Sequence, residues 1–256
     1  MNGAFLSLLL GALPLAAESP SAGKTEARPR PLAATFVSSK EWMMRRAPVK
    51  EEEFIGDVRY WTYSRFVRAD WALYRHDDET WTAKGNIRGE HTLPKGRGVF
   101  EAFGDKAVFD QKRRTGSLRG KKGYIDVVLT GPGGAKDYGR AGGLEWEIEK
   151  SAALVGGVRL WGERVSAWAD QASYDWRDGT MVLSGGRPVL HKKFGDWSAA
   201  IKADVITALQ PARGAPSVPK EPGLPAPGMM PRYLLAEGGV TGWLDFKSQP
   251  VPSLEP

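Results

Sequence analysis

Three aspartates, Asp70, Asp105 and Asp170, recur in one frame and have the strongest claim to chemistry in this chain. Each follows a small residue (Ala69, Gly104, Ala169) and opens the pattern Asp-x-Ala-x-aromatic: Asp70-Trp71-Ala72-Leu73-Tyr74, Asp105-Lys106-Ala107-Val108-Phe109 and Asp170-Gln171-Ala172-Ser173-Tyr174. After the aromatic come five residues and a Thr (Thr80, Thr115, Thr180), then four residues and a Gly (Gly85, Gly120, Gly185). A repeated carboxylate can ligate a cation or move a proton, but both tasks need convergent partners. No His or second acid is matched across the copies, so the aspartate reads as a cap of a local turn through its own backbone. His76, His91 and His191 share no metal-ligand spacing. No nucleophile stands with an activating base, and Gly131–Gly134 is a turn, not a phosphate cradle. The residues point to a protein that is not an enzyme and uses no metal and no cofactor.

The second chemical feature is basic. Lys112, Arg113, Arg114 and Arg119, with Lys121 and Lys122, crowd one turn and the strand after it. Such a cluster can hold phosphates by charge-assisted hydrogen bonds, or simply solvate a hairpin tip. The net charge of +6 favours anionic partners in general. Nucleic acid would require stacking aromatics beside the basic groups. Here the aromatics follow an inward period instead, so nucleic acid is not expected.

These residues must be positioned by strands. Each copy holds an alternating stretch, a polar middle (75–79, 110–114, 175–179) and a second alternating stretch, the pattern of two strands joined by a polar turn. Period-2 geometry puts the repeated Ala and aromatic on one face, the packed one. In the second strand the matching inward residues are Trp81 and Ala83, then Leu118, then Met181 and Leu183, with Thr82, Lys84, Ser117 and Arg119 outward. A Gly-x-[Val/Ile]-Arg element precedes the pattern at Gly56–Arg59, Gly85–Arg88 and Gly156–Arg159. Between Asp105 and Asp170 the interval doubles, which predicts a degenerate unit there with Asp137 at its aspartate position and strands over 124–129 and 144–148. Ala203-Asp204 marks a fourth unit by spacing. A fixed period means one supersecondary unit stacked repeatedly, and such a stack ends in unpaired strand edges open to β-augmentation.

Composition sets the frame. The 256 residues can hold one large all-β domain, and the absence of Cys excludes disulfides and thiolate metal sites. Residues 1–17 contain a 14-residue apolar run, Ala4 to Ala17, short of the roughly 20 residues of a spanning helix and suited to a signal peptide cleaved after Ala17. Residues 18–53 read as a flexible segment, within which 32–53 is open between a short helix and a leading strand. The repeated β domain is expected over 54–210, and an insertion loop near 94–98. A Pro-rich linker or loop follows at 211–231, then a terminal strand or hairpin at 232–248 and a tail at 249–256.

The Asp-x-Ala-x-aromatic, polar turn, Gly pattern behind a signal-like segment resembles the LptA/OstA family of periplasmic lipopolysaccharide-transport proteins of Gram-negative bacteria. The stretch from Ala169 through Asp175 and on to Leu183-Ser184-Gly185 carries the resemblance most fully, and Ala199 to Leu209 matches the strand that usually follows. The resemblance implies an all-β fold of stacked antiparallel units, a β-jellyroll folded like a taco. It implies a periplasmic, non-catalytic carrier that shields lipid A acyl chains in an apolar groove. The groove would be lined by Ala72, Tyr74, Trp81, Ala107, Phe109, Leu118, Ala172, Tyr174, Met181 and Leu183. Expected partners are lipopolysaccharide, other transport components docking on edge strands, and further copies of the chain head to tail. The alternatives are a membrane-anchored component like the related LptC, if residues 1–17 are retained, and a lipid-free structural solenoid that polymerises through its edges.

Overall fold

A computed structural model describes residues 36–93, 98–131, 133–163, 165–177, 179–194, 197–209 and 233–246. The signal-like segment, the Pro-rich stretch and the tail lie outside them, as does most of the loop near 94–98. Among the described residues there is no helix, and eighteen strands pair antiparallel into one connected network.

The chain climbs through rungs. The first is β1 (Phe36–Ser38) turning into β2 (Glu41–Arg45). Four long bent strands follow: β3 (Glu51–Trp61), β4 (Arg65–Arg75), β5 (Thr80–Thr92) and β6 (Val99–Asp110). The next two rungs are broken at the bend, into β7 (Thr115–Arg119) with β8 (Ile125–Thr130) and β9 (Lys136–Ala141) with β10 (Gly143–Glu147). β11 (Ser151–Trp161) and β12 (Val165–Asp175) are continuous again. The last three rungs are β13 (Met181–Ser184) with β14 (Val189–Phe194), β15 (Trp197–Lys202) with β16 (Val205–Leu209), and β17 (Tyr233–Glu237) with β18 (Thr241–Phe246).

Each rung gives one arm to each of two layers. Layer one runs from β2 through the first arms of β3 and β5 and the second arms of β4 and β6 to β7, β10, β11, β12, β13, β16 and β17. Layer two runs from β1 through the other arms to β8, β9, β11, β12, β14, β15 and β18. Tyr60 in layer two meets Trp81 in layer one at 6.1 Å between ring centroids, and one apolar cluster joins both layers, so the layers face each other over the core.

The repeated Asp and Gly are the bends. Asp70, Asp105, Asp170 and Asp204 stand at the bends of alternate rungs, and Gly85, Gly120, Gly185 and Gly238 at those of the rungs that follow them. The aspartate caps the neighbouring rung, not its own turn, which corrects the expectation. Asn86 donates to Asp70 at 2.7 Å, and the Lys121 amide donates to Asp105 at 2.6 Å. The backbone repeats the link: Asp170 N–H donates to Gly185 O at 3.3 Å and Asp204 N–H to Gly238 O at 2.9 Å. Gly85, Gly156, Gly185 and Gly238 have φ of 74–80°, and the residues after them, Asn86, Gly157, Gly186 and Gly239, are left-handed too. Two consecutive left-handed residues reverse the pleat, and only Gly, Asn or Asp adopt that conformation at low cost.

Four further expectations are corrected. Asp137 does not occupy a bend; Gly142 does, donating to Gly156 O at 3.0 Å, while Asp137 sits buried near the far end of β9. The doubled interval holds a strand that alternation did not reveal, β9, because Gly139 and Asp137 stand at its inward positions. The stack begins at Phe36, since β1 and β2 pair with β3, so residues 36–53 are strands of the domain and not a flexible segment. Residues 233–246 form no hairpin: β17 pairs with β16 and β18 with β15, as two arms of one rung.

Candidate functional site

The inner faces of the two layers form the candidate site. In layer one the register aligns Phe54, Ala72, Ala83, Ala107, Leu118 and Leu144 rung by rung, then Leu154, Ala172, Leu183 and Ile206. A second row, nearer the hairpin tips, aligns Tyr74, Trp81 and Phe109, and later Ala152, Tyr174 and Met181. All ten expected groove residues therefore lie on the inner face of layer one. What the sequence did not reveal is the opposite wall. There the register aligns Tyr60 with Val67, Ala102 with Val127, Leu160 with Ala167, and Leu190 with Ile201. Three arms of this wall, in β3, β5 and β11, open with the repeated Gly-x-[Val/Ile]-Arg element; for the rest of the wall the signal was plain alternation.

Burial divides this interior in two. From β7 onward it is closed: Leu118, Leu154, Tyr174, Met181, Leu183 and Ile206 are all buried, with Tyr174 at 4% exposure and Ile206 at 0%. From β3 to β6 it is half open. Phe54 and Ala72 are buried close to the bends, whereas Tyr74, Trp81, Ala107 and Phe109 are only half-buried. Trp81 is the centre of this open part, stacked on Tyr74 at 4.7 Å and on Phe54 at 5.7 Å. The expected groove is thus two regions: an aromatic trough at the N-terminal rungs, and a packed core beyond it.

Polar and aromatic residues bridge the mouth where the two regions meet. Trp176, on the turn after β12, sets its ring 5.7 Å from His91 and 6.5 Å from Phe100 of layer two. The His91 ring nitrogen Nδ1 donates to Ser64 O at 3.2 Å. Burial holds the His91 pKa below its ordinary value, and the positive Arg65 beside it adds to the effect. The folded state then binds a proton less readily than the unfolded one. Stability from this site is complete above the usual histidine range and falls as pH drops below it. We expect the melting temperature to decrease between pH 7 and pH 5, and His91→Phe to remove part of that decrease, as read by thermal melts across the range.

The basic cluster does not stand as a free anion site. Arg114 pairs with Glu149 at 2.9 Å and Arg119 with Glu145 at 2.6 Å. Arg113 lies 3.7 Å from Asp110, and Lys112 lies 3.8 Å from Glu79 and donates to Asp77 O at 3.1 Å. Lys112 and Arg114 tie neighbouring hairpin tips together, Arg113 pairs within its own turn, and Arg119 pairs across β7 and β10. Lys121 and Lys122 are separate: they line an outer depression of about 660 Å³ beside the bends, with Arg68, Arg88 and Tyr124, and with Asp70, Asp105 and Asp126. His76 lies 2.7 Å from Glu52 and outside any ligand group; among the described residues no cluster of potential metal ligands forms.

No protein-family model matches the chain, and neither does any curated protein. The fold defines an antiparallel all-β protein built of bent, stacked rungs.

Proposed function

We propose that this chain is a non-catalytic lipid-shielding protein of the kind the LptA/OstA resemblance implies, folded as its β-taco jellyroll. It takes acyl chains of lipopolysaccharide in the trough formed by Tyr60, Tyr74, Trp81 and Phe109. The observation that carries this reading is the division of the interior. The same repeat position is buried at Tyr174 and half-open at Tyr74 and Phe109. An apolar, two-walled trough whose rings stay partly exposed suits an extended hydrocarbon laid along it. The terminal rungs support the bridging part of the proposal. Trp42 and Met44 on β2, and Trp243 and Leu244 on β18, are exposed, and among the described residues nothing pairs with the outer edges of those rungs. Unprotected apolar edges invite another chain to add its strand, head to tail. Export to the periplasm, with or without an anchor from residues 1–17, belongs to the same proposal.

Trp81→Asp and Phe109→Asp test the trough, since both positions are half-open and tolerate a charge better than Tyr174. Each variant should keep its far-ultraviolet circular dichroism and retain about tenfold less lipopolysaccharide after passage over a lipid-loaded column. Unchanged retention would refute the trough. A second reading, a lipid-free solenoid joined through its edges, is favoured by the closed interior from β7 onward. Native mass spectrometry separates the two: a lipid-sized added mass supports the carrier, and a lipid-free ladder of oligomers supports the solenoid.

A further inference from the structure

The two outer faces of the stack differ in both aromatic content and charge. On the outer face of layer two the register sets Phe36, Trp61 and Phe66 side by side, with ring centroids 5.4 and 5.8 Å apart. Further along, Tyr138 stacks on Trp161 at 6.0 Å, and Trp168 is exposed on the next strand. At the outward register positions of layer one from β2 to β16, Trp71 is the one large aromatic among the described residues.

Charge follows the same division. Beside the bends, one transverse row of layer two runs Arg59, Arg68, Arg88, then Arg140, Arg159 and, on β15, Lys202. Part of this charge is paired: Arg59 and Arg68 share Asp57, Arg88 meets Glu101, and Arg140 meets Asp126. Arg159 is different. Its guanidinium lies 5.8 Å from the Trp161 ring and 5.9 Å from the Trp168 ring, and among the described residues it meets no carboxylate. Lys121 and Lys122 extend the cationic side into the adjoining depression. The outer face of layer one instead carries an acidic excess: six glutamates (Glu41, Glu51, Glu53, Glu145, Glu147 and Glu237) with Asp110 and Asp175, against Arg45, Arg75, Lys84, Lys106 and Arg119.

We propose that the outer face of layer two docks on an anionic lipid bilayer, independently of any lipid carried in the interior. Trp168, Trp161 and Tyr138 enter the headgroup layer, where an apolar ring with a polar edge is best placed. Arg159 and the neighbouring cations meet the lipid phosphates, each contact weakened by salt. The face is an outer sheet surface with its rings spread over several strands, so it suits a planar partner better than a small enclosed ligand. The acidic outer face of layer one points away from the bilayer.

Co-sedimentation of the full chain with vesicles tests this. We expect binding to vesicles of phosphatidylcholine with one-quarter phosphatidylglycerol, little binding to phosphatidylcholine alone, and loss of binding when salt rises from 0.1 to 0.5 M. Arg159→Glu with Trp168→Ala should weaken binding about tenfold, as the loss and reversal of one surface charge and one interfacial ring requires. Lys84→Glu with Lys106→Glu, on the other face, should leave it unchanged. Arg159→Gln alone, at an exposed position, gives a milder loss and guards against a folding defect in the double variant. Equal binding to neutral vesicles, or indifference to the Arg159 and Trp168 substitutions, overturns the proposal. So does equally tight binding of a single-stranded oligonucleotide through the same residues, or a dimer that dissociates on Trp168→Ala. Docking carries the chain into the vesicle pellet, whereas extraction into the trough leaves lipid and protein in the supernatant. Failure of one reading is therefore distinct from failure of the other.

Discussion

Tyr174→Ala destabilises the fold by about 3–5 kcal/mol, and Tyr74→Ala, at the same position of the repeat, by about 1 kcal/mol or less. The two tyrosines occupy equivalent places: each follows Asp-x-Ala-x and pairs with an inward residue of the next rung, Met181 or Trp81. Their surroundings differ. Tyr174 is 4% exposed in the closed interior, and its ring meets Trp176 edge-on at 4.9 Å. Its removal leaves a cavity lined by residues held in register on both sides, which cannot collapse without breaking strand pairs. Tyr74 is half-buried in the trough, and truncation there opens space already reached by solvent. Urea denaturation of both variants measures the difference directly. Equal losses would mean that the interior is uniformly packed and that the trough does not exist. The same pair separates stability from function, because Tyr74→Ala should weaken lipid retention while the fold persists.

Gly185→Val costs about 3 kcal/mol, and the loss is coupled to Asp170. Two effects add. Gly185 has a φ of 74°, where a β-branched side chain is strained by about 1–3 kcal/mol. A Cβ there would also stand 2.8 Å from the Asp170 Cβ, closer than such atoms approach. Combining Gly185→Val with Asp170→Gly removes the overlap and leaves the backbone strain. The double variant should therefore be more stable than the sum of the single losses predicts, by roughly 1 kcal/mol, in a double-mutant cycle. Strict additivity would show that the two bends do not touch. Each rung contacts mainly its neighbours, so the damage should stay near β12 and β13 and be visible as local loss of amide protection.

Much of one layer was legible in the sequence itself. The alternation around Asp70, Asp105 and Asp170 specifies strands, and the repeated Ala and aromatic specify which side faces inward, because side chains alternate strictly along a strand. The bend was visible only in part. Gly85 and Gly185 marked it, and the Asn or Gly that follows was the further sign, since that residue must be left-handed too. The partner of each aspartate was not legible. Asp170 reaches Gly185 across strands β12 and β13, a contact set by the register of two rungs, not by any local sequence preference.

Two things were decided by tertiary structure alone. The first is which part of the interior stays open. Tyr74 and Tyr174 are the same letter in the same motif, and only the second is sealed, because Trp176 crosses from one layer to meet His91 and Phe100 of the other. The second is the contrast between the outer faces. Arg59, Arg88 and Arg159 share one position of the repeated Gly-x-[Val/Ile]-Arg element, but Arg68 and Arg140 do not, and the five become one row on one face only when strand pairing aligns them. Alternation is a local property of a strand, and the chain states it directly. Which strands lie side by side, and which layer faces which, depends on contacts between distant residues, and no short stretch of sequence holds that information.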